Sequence, residues 1–281
     1  MKDDNQEITK KSEPIILTEQ EETALSAVAG NSWKKYSRIA MTALGSIPWV
    51  GSILSVVASI SSEKEQDTKN KILALWIDEH EHKFKELGMT LNEIFTRFES
   101  FGDKINKRID SPEYLTLVRK TFRQWDQAET MEKREMLKKI LINSGVITLA
   151  QDDLIRLFLE WIEKYHEFHF TVIREIYKNS RITRSEIWRK IRGEQPIENS
   201  AEADLFKLLI RDLTTGSVIR QEKDVNALGQ FMKKAPTKGN GSSTYESAFE
   251  DTKLYVLTEL GAQFVHYVMS DVVQQLEGGK V

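Results

Sequence analysis

The side chains best able to carry chemistry in this chain are its histidines, His80, His82, His166, His169 and His266, and a run of cations between Arg181 and Arg192. Glu79 stands three residues before His82, and Glu163 three residues before His166. On a helix that spacing puts both side chains on one face, as helical bundles do when they present a carboxylate and an imidazole to a metal. A metal centre would need further carboxylates from other helices. Glutamate is abundant on every predicted helix, so chance spacing accounts for both pairs and no metal or cofactor is assigned. Cysteine is absent, which removes disulfides, thiolate nucleophiles and thiolate-ligated zinc or iron–sulfur sites. No Gly-rich phosphate loop, nucleophile elbow or HExxH pair occurs. The expectation is a protein that is not an enzyme, with no catalytic residues and no small-molecule substrate.

The cations have a different use in view. Arg181, Arg184, Arg189, Lys190 and Arg192 could meet a phosphate backbone, joined by Lys233, Lys234 and Lys238 from a later loop. The elements that would position them follow a recognisable order. A short basic helix after Ile182-Thr183 is followed by a second helix over Ala201–Leu213. A strand at Ser217–Arg220, a Lys-, Gly- and Ser-rich loop and a strand at Lys253–Leu257 come next. Thr258-Glu259-Leu260-Gly261 then leads into a final helix, Ala262–Leu276. Helix, helix, strand, loop, strand and helix is the order of a winged helix-turn-helix. The helix that would enter DNA opens Ala201-Glu202-Ala203-Asp204, with carboxylates at the end where base edges are read. Protein docking is therefore favoured over nucleic-acid binding, which stays as an alternative.

A second lead is a hydrophobic segment. Within 281 residues of net charge −3, of which 30% are charged and 40% hydrophobic, the stretch from Ile39 to Ser62 carries no charge. Its length is that of a membrane span. Ser46, Ser52, Ser55, Ser59, Ser61 and Ser62 make it weakly apolar, and Pro48 between Gly45 and Gly51 favours a turn. The pattern predicts two short apolar helices joined at Pro48. Ile39, Leu44, Gly45, Pro48, Trp49, Gly51, Ile53 and Val56 are the candidate contacts of this hairpin with a membrane or a partner. Trp33, Lys34, Lys35 and Arg38 stand where interfacial anchors belong. Burial in the fold is the competing reading, and a hairpin sheltered at rest and exposed on a trigger joins the two.

Leu73, Ile77, His80, Phe84, Leu87, Leu91, Ile94, Phe98, Phe101, Ile105 and Ile109 recur at steps of three and four. Such a seam predicts a heptad helix over 69–110, about 55 Å long from Leu73 if unbroken, in a coiled coil or an elongated bundle. Gly88 is the alternative break. Ser111-Pro112 starts the next helix as cap and first residue, and helices are expected over 112–127, 130–143 and 151–178. The domain reading is a disordered tail over 1–14, a helical domain over 15–178 and a winged-helix domain over 179–281. The polar start of the chain gives no secretory pattern, so the expected location is the cytoplasm, with membrane association on activation.

Three runs also carry a resemblance. They are Leu-Gly-Ser-Ile-Pro-Trp-Val-Gly-Ser-Ile-Leu-Ser (44–55), Glu-Tyr-Leu-Thr-Leu-Val-Arg-Lys-Thr-Phe (113–122) and Glu-Lys-Arg-Glu-Met-Leu-Lys-Lys-Ile-Leu-Ile-Asn-Ser-Gly (132–145). In this order, with a long helix after the first and a winged helix at the end, the chain resembles bacterial phage-defence proteins of the abortive-infection alpha type. The resemblance implies a mostly α protein that stops phage by killing or arresting the infected cell, without catalytic residues. It also implies work beside neighbouring gene products, as a homo-oligomer or a subunit of a defence complex. Two alternatives remain: a DNA-binding regulator or nucleoprotein subunit, and a structural scaffold in a multi-protein complex. If the hairpin acts, Ile53→Asp or Val56→Asp abolishes phage protection while the protein stays soluble. Undiminished protection in plaque assays would count against the hairpin.

Overall fold

The computed structural model describes residues 34–50, 66–146, 151–222 and 247–269. The described chain is mostly helical, with one two-stranded sheet. It divides into two compact units, Met1–Asp103 and Lys104–Val281.

In the first unit, α1 (Ser37–Ser46) precedes the long α2 (Gln66–Phe101). Ile39, Ala40, Ala43 and Leu44 recur at helical spacing and are buried, as are Ile47 and Val50. Tyr36 lies 5.1 Å from Phe95 and 5.8 Å from Phe98, centroid to centroid, while Trp49 stacks on His80 at 5.3 Å. Those contacts run α1 antiparallel to α2. They also supply a cover for the seam, since Leu87, Leu91, Ile94 and Phe98 are buried together with Phe95. At this part of α2 the heptad apolar positions are filled by the chain's own segment.

Two expectations change here. The long helix passes through Gly88, which is buried, and stops at Phe101 rather than near 110. Gly102 takes a φ of 64°, a left-handed conformation that a glycine adopts without the strain a Cβ would bring, and it ends the helix. Ile105 and Ile109 therefore belong to a short 3₁₀ turn and to α3 (Asn106–Ile109). The predicted turn before Pro48 is present: α1 ends at Ser46, Ile47 is extended, and the chain is helical again over 48–50. Gly51, Ile53 and Val56 lie outside the described residues.

The second unit continues with α4 (Pro112–Gln127), α5 (Met131–Val146), α6 (Asp152–Lys164) and α7 (Glu167–Lys178). Ser111 caps α4, its hydroxyl accepting from the Tyr114 N–H at 3.2 Å with Pro112 in the first turn, as the sequence predicts. The expected single helix over 151–178 is instead two, because Tyr165 and His166 are extended. Then come α8 (Arg184–Arg192), α9 (Ala201–Thr215), β1 (Ile219–Gln221), β2 (Tyr255–Leu257) and α10 (Glu259–Val268). The strands are antiparallel, with Ile219 opposite Leu257 and Gln221 opposite Tyr255, and Ile182 bridges to Tyr255 on the far side.

Phe264 of α10 holds these elements to the preceding helices. Its ring sits 5.4 Å from Phe158, 5.3 Å from Trp161 and 6.3 Å from Phe170. Thr258 starts α10: its hydroxyl accepts from the Gly261 N–H at 2.9 Å and donates to the Ser217 carbonyl at 2.6 Å. A Cβ on Gly261 would stand 2.1 Å from the Val218 carbonyl oxygen, so only glycine lets α10 close on β1. The Thr-x-x-Gly spacing is thus a packing device.

The run 132–145 is architectural as well. Glu132 pairs with Arg174 of α7, and the Lys133 ammonium donates to the Glu163 carbonyl at 3.1 Å. The buried Asn143 amide donates to the Tyr267 carbonyl at 2.6 Å, tying α5 to the end of α10. The Ser144 carbonyl accepts from Arg108, whose guanidinium also clamps Asp152 through both of its terminal nitrogens. Phe264→Ala is expected to lower stability by about 4 kcal/mol in denaturant titration, through lost burial and the cavity left behind. A loss below about 1 kcal/mol would show that α10 is not anchored by this ring.

Candidate functional site

Among the described residues no helix is long and apolar enough to cross a membrane, and no three metal-binding side chains converge. The hairpin candidates divide. Ile39 and Leu44 lie in the core of the first unit, Trp49 is half-buried on His80, and Gly45 and Pro48 are exposed. Of the anchor residues, Lys34 and Arg38 are exposed, while Lys35 lies over the Tyr36 ring and 4.0 Å from the Asp103 carboxylate. Trp33 lies outside the described residues.

The predicted nucleic-acid contacts are brought to α8 and the turn before it, and much of their charge is used there. Arg181 adopts a φ of 67° and pairs with Glu222 at 3.0 Å. Arg184 lies over the Tyr255 ring, donating from Nε to the Tyr255 hydroxyl at 2.8 Å and from Nη1 to the Ser247 carbonyl at 3.3 Å. Arg192 covers Phe168, Arg189 donates to the Ser185 hydroxyl at 3.4 Å, and Lys190 points to solvent. Thr183 and Glu186 cap α8 reciprocally, and the two hydrogen bonds from Thr183 hold the Glu186 carboxyl below the usual carboxylate range.

A concave feature of this unit lies one helix further on. Helix α9 is amphipathic: Ala203, Phe206, Leu209, Ile210 and Leu213 are buried, while Asp204, Leu208, Arg211 and Thr215 form a stripe on another face. That stripe, with Lys207 and Thr214, walls a groove of about 540 Å³ whose other side is Arg184, Gln221 and Tyr255. Lys207 lies 3.7 Å from Glu198, whereas Arg211 is exposed and makes no ion pair among the described residues. Sequence patterning points to the cations before Gly193 and passes over Lys207 and Arg211. The available signal was Tyr255, the first residue of the Tyr-x-Leu-Thr-x-x-Gly run.

A titratable cluster supports α9 from below. His169 of α7 is buried and stacks on Tyr165 at 5.0 Å. Its Nδ1 accepts from the His166 N–H at 3.1 Å, so the neutral ring carries its proton on Nε2, 3.8 Å from the Asp212 carboxylate of α9. Burial lowers the His169 pKa to about 4 against the opposing pull of Asp212, with His166 also lowering it. The Tyr165 hydroxyl is pushed up to about 12, first by burial and then by Asp212. This cluster holds a helix start and a helix contact.

Comparison of the whole chain with family models, curated proteins and solved structures returned no match. The His169 environment sets a pH dependence with a definite sign. The folded state prefers neutral imidazole, so its contribution is whole above about pH 6.5 and lost between there and about pH 4, by up to about 3 kcal/mol. Denaturant midpoints measured from pH 7 to pH 4 should fall along this window, and His169→Gln should flatten that part of the profile.

Proposed function

We propose that this protein is a non-enzymatic effector or accessory subunit of bacterial anti-phage defence, and that residues 179–268 form a winged helix that docks a protein partner. The observation that carries the docking reading is the outward surface of α9, the helix at the position that enters the major groove in DNA-binding winged helices. It exposes Glu202 and Asp204 at its N-terminal end, with Leu205 at 46% and Leu208 at 40% exposure one turn on. Duplex DNA would meet carboxylates and leucines where it needs donors. A protein partner would meet an apolar contact with a polar rim. Arg181, Arg184 and Arg192 are engaged with Glu222, Tyr255 and Phe168, which supports the same choice.

The defence context comes from the resemblance of the sequence to the abortive-infection alpha type. The burial of Ile39, Ala43, Leu44 and Ile47 supports a resting state in which the apolar segment is sheltered. Its release toward a membrane or a partner surface is the conditional step of this reading. Homo-oligomerisation through the remaining apolar positions of α2, or assembly with neighbouring gene products, belongs to it too. The DNA-binding regulator is the second reading, resting on Arg189 and Lys190.

The double variant Leu205→Asp/Leu208→Asp should lose phage protection in plaque assays with folding stability within about 0.5 kcal/mol of the parent. Full protection by that variant would sink the docking reading. Duplex DNA at low salt should give flat gel-shift curves. A salt-dependent shift abolished by Arg189→Gln/Lys190→Gln would establish the DNA-binding alternative.

A further inference from the structure

We propose that the groove between α9 and the β1–β2 ribbon is a binding site for a small anionic ligand, one that carries a phosphate or carboxylate group. Its volume, about 540 Å³, falls in the range of small-molecule sites. Its walls supply three cations, Arg184, Lys207 and Arg211, against the single carboxylate of Asp204, with the hydroxyls of Thr214 and Thr215 beside them. Lys207 is paired with Glu198, whereas Arg211 is exposed and makes no ion pair among the described residues. Leu208 and Ile210 give the apolar flank that the body of a ligand would use.

Tyr255 adds an independent pointer. The residue is 1% exposed, yet it lines the groove. Its hydroxyl oxygen accepts from Arg184 Nε at 2.8 Å and from Gln221 Nε2 at 3.0 Å. Both partners are donors, so the two bonds occupy the oxygen's acceptor capacity and leave the phenolic proton unspent. A buried donor without an acceptor costs about 1–3 kcal/mol. An oxygen placed in the groove would accept that proton while facing the guanidinium of Arg211, and anionic oxygen does both best. Asp204, at the far end of the stripe, can accept from a hydroxyl or amino group of the same molecule. The groove thus selects for an oxyanion joined to a donor-bearing body.

Asp204 and Leu208 belong both to this groove and to the outward surface of α9, and the two readings are separated by experiment, small-probe binding for the one and phage protection for the other. The test uses the full chain, titrated in calorimetry and in ¹H–¹⁵N spectra with inorganic phosphate, ribose 5-phosphate and glutarate in separate arms. Saturable binding by at least one probe with a Kd below about 1 mM is expected, with shifts in the Gln221 side-chain amide. Arg211→Gln should weaken it at least tenfold, or about 1.4 kcal/mol, with unchanged thermal stability, and Arg211→Lys should restore part of it. Tyr255→Phe should weaken it as well while the ring still fills its place. Binding confined to the phosphate arms names phosphate as the group, and binding confined to glutarate names carboxylate. The proposal falls if no probe binds by about 10 mM, or if binding survives Arg211→Gln unchanged.

Discussion

Phe264 can be buried only if several elements arrive together. Its ring meets Phe158 and Trp161 from α6 and Phe170 from α7, so the helices that precede it in sequence form the pocket it needs. The chain brings it there through a short series of obligations. β2 must pair with β1, Thr258 must start α10 against the Ser217 carbonyl, and Gly261 must leave room for the Val218 carbonyl. Asn143 then fixes the far end of α10 with a buried hydrogen bond to Tyr267. Apolar burial supplies the driving force, and the polar contacts set the register.

That constraint explains why the C-terminal elements do not separate from the helices before them. The change of sequence grammar near 179 marks a change in element type, from long helices to short helices and strands. The compact units divide instead between Asp103 and Lys104, beside the left-handed Gly102. The motif over 132–145, read first as a family mark, works through Glu132, Lys133, Asn143 and Ser144 as a set of ties between helices. Residues that carry a resemblance need not be residues that act on anything.

The surface follows from the same packing. Once α9 spends Phe206, Leu209, Ile210 and Leu213 on the core, Asp204, Leu208 and Arg211 must face the ribbon across a groove, and Leu205 is left outside. Once Tyr255 is buried by its place opposite Gln221, Arg184 is drawn over its ring and donates to its hydroxyl at the edge of the groove. A charge run in sequence states what is available. The neighbours of each cation decide what remains.

Local signals settled much of this protein unaided. Helical periodicity, the cap at Ser111 and the kink before Pro48 involve residues within a turn of one another, so their physics is written in adjacent letters. The absence of cysteine was equally plain. Other features depended on residues far apart in the chain. The seam of α2 is covered by Tyr36 and its neighbours, α2 stops at Phe101 before Gly102 rather than near 110, and the helix expected over 151–178 parts at Tyr165–His166. Arg184, Gln221 and Tyr255 meet through the strand register and its bridge to Ile182. Pairing across such separations is chosen by what buries the most apolar surface with its polar groups satisfied, and no window of sequence contains both halves of that choice.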